Sequence, residues 1–333
     1  MIEDQAPIIP AEPAILGPTT THAAKPRLNY PSQLGILLGF TGAGVIIGSI
    51  LVMILWLVFT GGSMYTIERD MLSGKNTNAV RWIQLIASGI MFFVPAIAFA
   101  LVVSRRPFQY LGYSKQLTQK QLLYVIAMAV VAMALSGALS ELNQLVPVSK
   151  TMAVKFKKME DDYNSQVVSI AVMKSFKDYL LVLSIIAIAP AIFEETLFRG
   201  GLQQLLTRWT KNVWVSVLIT SILFSAVHIS FYGFLPRMGL GIVLGLIFYY
   251  GKNIWLNILL HFINNGISVT VLYLSTKDGK IAKDAMDDSF PLYIGVVAIA
   301  LLYVLFKKFK EESALLPEPS DAHLYTANYN PLY

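Results

Sequence analysis

Eight long apolar runs constrain this chain more than any other feature. They lie near residues 34–60, 82–103, 121–139, 179–206, 213–232, 236–251, 254–275 and 289–306. They are roughly 16–28 residues long, about the length a helix rising 1.5 Å per residue needs to cross a hydrocarbon core about 30 Å thick. Hydrophobic residues make up 55% of the chain and charged residues 14%. A soluble domain carries about 25% charged residues to cover its surface. The expectation is an all-α, polytopic integral membrane protein with about eight transmembrane helices.

The segments between and around the runs set the organisation. Residues 1–33 are Pro-rich (Pro7, Pro10, Pro13, Pro18, Pro26, Pro31), acidic before they are basic, and unlike a secretory signal. They are expected to be a disordered tail, followed by three N-terminal transmembrane helices over 34–145. A loop or helix at the membrane interface is expected over 146–178, a membrane core over 179–275, and a last span with a polar tail over 276–333. Basic pairs Arg105–Arg106 and Lys307–Lys308 close the second and eighth runs and favour a cytoplasmic position for those ends. With eight spans, both termini would be cytoplasmic, although the 146–178 loop is Lys-rich too. Trp82, Trp209, Trp214 and Trp255 mark predicted span ends, and Trp56 lies near the end of the first span.

Composition excludes some chemistry outright. The chain has no cysteine, so disulfides, thiolate nucleophiles and Cys-ligated metals are absent. Its net charge of +6 suits basic loops beside anionic lipid, and no basic patch interleaved with aromatics points to nucleic acid. Lipid is therefore the expected surrounding partner. Oligomeric state is not legible. Within 146–178, Phe156, Met159 and Tyr163 oppose Lys157, Lys158, Glu160 and Asp161, the pattern of a helix lying at an interface. Gly44 with Gly48, and Gly241 with Gly245, have the spacing that lets helix backbones approach closely.

Ionisable residues inside the runs carry the functional signal. A charged side chain at mid-bilayer costs about 2.5–3.5 kcal/mol on insertion scales, so such residues face a cavity and usually serve a function. The fourth run contains Glu194-Glu195-Thr196-Leu197-Phe198-Arg199. Adjacent carboxylates on a helix project about 100° apart and cannot share one role. Arg199 is four residues beyond Glu195, in the order that favours an ion pair. Glu194 has Phe198 at that spacing instead, and Pro190 four residues before it, which predicts a kink. The fifth run holds Phe224 and His228, and the seventh holds His261 and Asn265, each pair on one predicted face. Of four histidines, His22 and His323 fall in the polar tails.

Hydrolysis of a peptide bond needs a base for water and donors for the developing oxyanion. Glu194 with His228 suits the first task, and His261 with Asn265 the second. Ser225 is at the wrong helical spacing to meet His228. These segments, Glu194-Glu195-x-x-x-Arg199, Phe224-x-x-x-His228 and His261-x-x-x-Asn265, resemble the three signature motifs of the CPBP family, also called Abi or type II CAAX prenyl endopeptidases. The resemblance covers roughly residues 179–270. It implies a four-helix catalytic core and a metal-free glutamate protease without cofactor. In the family the first glutamate and first histidine activate water, and the second histidine and the asparagine form the oxyanion hole. Those roles would fall on Glu194, His228, His261 and Asn265, with Glu195, Arg199 and Phe224 in support.

The implied substrate is a membrane-associated or lipidated peptide. Eukaryotic members remove the last three residues of prenylated CAAX proteins, whereas many prokaryotic members are linked to peptide maturation or bacteriocin self-immunity. Other readings stay open at this point. Two Glu and two His would also suit zinc, although no His-Glu-x-x-His occurs. A proton-coupled transporter and a non-catalytic immunity protein would tolerate the same residues. Simple counting places Glu194, His228 and His261 at different depths, so the helices must tilt or bend for these groups to meet.

Overall fold

The computed structural model describes residues 28–72, 76–277 and 289–316, and these form helices and connections with no strand among them. The nine principal helices are α1 (Tyr30–Thr60), α2 (Thr77–Val103), α3 (Gln119–Gln144), α4 (Lys150–Ile170), α5 (Phe176–Thr210), α6 (Val213–Ala226), α7 (Phe234–Gly251), α8 (Ile254–Lys277) and α9 (Leu292–Ser313). Seven of these, all but α4 and α6, are long and apolar enough to cross a membrane. The chain is a polytopic integral membrane protein. Most of the expected N-terminal tail, the end of the C-terminal tail, and His22 and His323 lie outside the described residues. Residues 30–33 belong to α1, which starts at Tyr30 because the Asn29 side chain accepts from Ser32 N at 2.9 Å.

The fifth run stops well short of its expected extent. Its helix ends at Ala226 rather than continuing to 232, leaving 14 residues. At 1.5 Å per residue that is about 21 Å, short of a hydrocarbon core of about 30 Å. The last turn closes on itself, with His228 N bonded to Ser225 O at 3.2 Å and Ile229 N to Ala226 O at 3.1 Å. Ile229 then takes a φ of 50°. That left-handed conformation, unusual for a β-branched residue, turns the chain away from the helix axis.

α5 is the central element and is not a uniform α-helix. Leu183–Ile188 and Thr196–Gln203 are π-helical and bracket the α-helical Ala189–Glu195. Pro190 has no N–H and its ring crowds the preceding turn. The wider π turn beside it keeps α5 continuous, so the predicted disturbance takes this form. π segments rotate the residues that follow relative to an ideal helix, and here the rotation falls on either side of Glu194 and Glu195.

Packing follows burial. α5 and α7 are the most enclosed of the crossing helices, whereas α1 and α9 are the least. α5 lies against α2 on one side and α8 on the other, while α3 packs on α7, α8 and α9. One core cluster joins Leu37, Phe99, Leu111, Leu197, Leu205 and Phe224, and a second joins Met128, Leu244, Leu260, Leu302 and Phe309. Four tryptophans (Trp82, Trp209, Trp214 and Trp255) are exposed, but Trp56 is buried against Val80 and Ile83 and so anchors packing, not an interface.

Candidate active site

The centre of the molecule is a buried ionic cluster seeded by Glu195. Arg199 lies one helical turn further along α5, and its Nη1 donates to Glu195 Oε1 at 2.9 Å, both side chains being fully enclosed. Nδ1 of His261, from α8, is 2.9 Å from the same oxygen. Asn257, a turn before His261, reaches Glu195 Oε2 at 3.4 Å and donates to Leu244 O at 2.7 Å. A carboxylate only accepts, so His261 donates Nδ1–H and its ring orientation is set by Glu195.

Glu194 is held differently. Its Oε2 is buried without a hydrogen-bond partner and lies 3.9 Å from His261 Nε2. The side chain is 15% exposed against 0% for Glu195. Two adjacent carboxylates therefore meet the two nitrogens of one imidazole, and only Glu194 has access from outside.

Phe224 is the hub that brings His228 to this cluster. Its ring centroid is 5.3 Å from His228, 5.8 Å from His261 and 5.3 Å from Phe198, and the Arg199 guanidinium lies 4.6 Å over its face. His228 is beyond the end of α6, yet its Nδ1 donates to Phe224 O at 2.8 Å. The side chain thus satisfies a carbonyl that the helix end leaves open. A carbonyl cannot donate, so in the neutral ring Nε2 is left as the acceptor. Among the described residues no hydrogen bond joins His228 to Glu194. Ser225 Oγ donates to Phe234 O at 2.7 Å.

Asn265 is directed elsewhere. Its Nδ2 donates to Ile186 O at 3.2 Å, the carbonyl four residues before Pro190. That is the carbonyl from which Pro190 withholds an N–H, so the amide of α8 substitutes for the missing donor in α5.

Gln203, Asn257 and Tyr113 escaped the motif-based reading. Arg199 Nη2 donates to Gly241 O at 3.2 Å, and Gln203 Nε2, one turn on, donates to Gly245 O at 2.8 Å. The G-x-x-x-G stripe of α7 thus exposes carbonyls as well as permitting close packing. Asn257 was missed although it stands four residues before His261, as Asn265 stands four after. Tyr113, in the connection after α2, meets Thr196 at 2.7 Å, and burial pushes its phenol pKa up. Among the described residues, no group of three or more His, Asp or Glu side chains has an arrangement that would hold a metal ion.

Residues 176–267, from the start of α5 into α8, match the family model described as type II CAAX prenyl endopeptidase Rce1-like. This segment is similar to the core of Rce1-like endopeptidases. It takes in α5, α6, α7 and the first part of α8, and with them Glu194, His228, His261 and Asn265. The match marks the chain as a membrane protease, a hydrolase acting on peptide in a lipid setting. No curated protein and no solved structure matches the chain.

Proposed function

We propose that the chain is a glutamate-type endopeptidase that cleaves a membrane-associated or lipidated peptide, with Glu194 as the base that activates water. The observation that carries this reading is the contrast between neighbours. Glu195 spends its oxygens on Arg199, His261 and Asn257, whereas Glu194 keeps a buried oxygen unpartnered and its side chain reachable. A base needs an unoccupied lone pair within reach of the water it deprotonates.

The remaining roles follow from the donors and acceptors present. His228, with Nδ1 committed to Phe224 O, offers Nε2 as an acceptor that helps position the water. His261, with Nδ1 committed to Glu195, has Nε2 directed toward Glu194, and a proton there would stabilise the tetrahedral oxyanion. Asn265 acts in the same oxyanion hole if its amide leaves Ile186 O when substrate binds. Collapse of the intermediate returns the proton from Glu194 to the leaving amine. A cytoplasmic position for both termini belongs to this proposal; it rests on the basic pairs and requires the short α6 to count as a crossing.

The test is peptidase activity of the purified protein on a fluorogenic farnesylated CAAX-type peptide, comparing wild type with Glu194→Ala. The expected loss is roughly 10²–10⁴-fold with unfolding temperature little changed. Retention of activity by Glu194→Ala would sink the mechanism. A chelator is expected to leave the wild-type rate unchanged.

A further inference from the structure

A guanidinium with no ion pair among the described residues stands near the cluster. Arg237, in the first turn of α7, has an Nη1 that is buried and makes no hydrogen bond. Its guanidinium lies 4.7 Å over the ring of Tyr163 from α4 and packs so closely on Gly233 that a Cβ there would collide with Nη1. Arg237 N donates to Gly233 O at 3.2 Å, and Ser225, three residues before His228, donates to Phe234 O in the same turn, which ties Arg237 to the end of α6 that carries His228.

Several polar groups around it are already engaged with one another. Phe156 of α4 stacks on Phe231 at 4.1 Å, nearly parallel. Ser230 Oγ donates to Glu160 of α4, and Gly233 N donates to Ser230 Oγ at 3.0 Å. Asn143 of α3 donates to Phe231 O and accepts from Leu235 N, both at 2.9 Å. Glu160 is thereby used by Ser230, and no ion pair joins it to Arg237 among the described residues. A buried guanidinium N–H without an acceptor is costly, and a carboxylate is the acceptor whose geometry and charge fit it best.

We propose that Arg237 binds a carboxylate of the peptide substrate, at the corner formed by α4 and the 227–233 loop. This rests on the endopeptidase reading. The carboxylate comes either from the chain terminus of the peptide or from an acidic side chain. Held there, it tethers the peptide within reach of the groups around Glu194, and Tyr163 orders the guanidinium that receives it.

The experiment uses the full chain in lipid nanodiscs and three farnesylated peptides. One carries a free C-terminus and one acidic side chain, the second is C-terminally amidated, and the third has the acidic side chain replaced by its amide. Wild type is expected to lose roughly tenfold or more in kcat/KM on one of the two altered peptides, and that peptide identifies the source of the carboxylate. Arg237→Gln is expected to abolish the preference and Arg237→Lys to keep part of it, with thermal unfolding verifying the fold. Unchanged preference in Arg237→Gln, or equal use of all three peptides by wild type, overturns the proposal. Binding of the same peptides to Glu194→Gln separates the two readings. If wild type cleaves none but Glu194→Gln binds the parent peptide roughly tenfold more tightly than an altered one, and adding Arg237→Gln removes that preference, the carboxylate site stands and proteolysis fails. If wild type cleaves none of the peptides and Glu194→Gln shows no such preference, both readings end.

Discussion

His261 is oriented by Glu195, whose Oε1 lies 2.9 Å from His261 Nδ1 and equally 2.9 Å from Arg199 Nη1. One oxygen thus fixes an imidazole and neutralises a guanidinium in the most enclosed part of the protein. Glu195 and Glu194 should consequently fail in different ways. Replacing Glu195 with Ala leaves Arg199 as an uncompensated buried charge, and breaking such a pair costs about 3–5 kcal/mol. Glu195→Ala is expected to lower the unfolding temperature strongly along with activity. Glu194→Gln should remove activity with little change in unfolding. Equal stability losses in the two variants would contradict the division of roles.

Asn265 supports the α5 backbone at Ile186 O. Asn265→Leu keeps the volume but removes the donor, leaving a carbonyl beside Pro190 unpaired at an expected cost of about 1–3 kcal/mol. Hydrogen exchange should report faster opening over 183–195 in this variant. If exchange there is unaltered, the amide is not what holds the π segment.

Gly245 and Gly39 separate close packing from mere helix flexibility. A Cβ at Gly245 would meet Gln203 Oε1 and Val217 Cγ1, both at 2.9 Å, whereas at Gly39 nothing lies within 4 Å. Gly245→Ala is expected to destabilise by about 1–3 kcal/mol through overpacking. Gly39→Ala should be neutral or stabilising, by up to about 1 kcal/mol, because alanine loses less conformational freedom in a helix. Thermal unfolding of the two variants side by side checks both signs.

Gly112 has a φ of 88°, and a Cβ there would lie 2.6 Å from Phe248 Cε2. Its carbonyl accepts from Ile254 N at 2.9 Å and ties the connection after α2 to the start of α8. Gly112→Ala should cost at least about 1–2 kcal/mol from backbone conformation alone. A wild-type unfolding temperature in Gly112→Ala would refute this account.

The helices were legible because crossing a bilayer demands long apolar runs, and these stand out whatever the tertiary arrangement. α6 shows where that signal ends. Val227, His228 and Ile229 continue the apolar pattern of the fifth run, and no glycine or proline announces a stop. The helix nonetheless ends at Ala226, because turn bonds and the His228 side chain take over the last carbonyls. The proximity of Arg199 to Glu195 could be read from their four-residue spacing. That of Asn257 could have been read in the same way from its spacing to His261.

By itself, the order of residues determined an all-helical membrane protein and the short list of polar groups too costly to leave in lipid without a purpose. Only the packing of α5 against α7 and α8 decided what those groups touch. Glu194 and Glu195 are neighbours in a string, yet one is enclosed by Arg199 and Asn257 while the other keeps an unpartnered oxygen beside His261. The reason is that local spacing specifies direction along a single helix. The environment of a side chain depends on which other helices arrive there, at what depth, and with which donors already engaged.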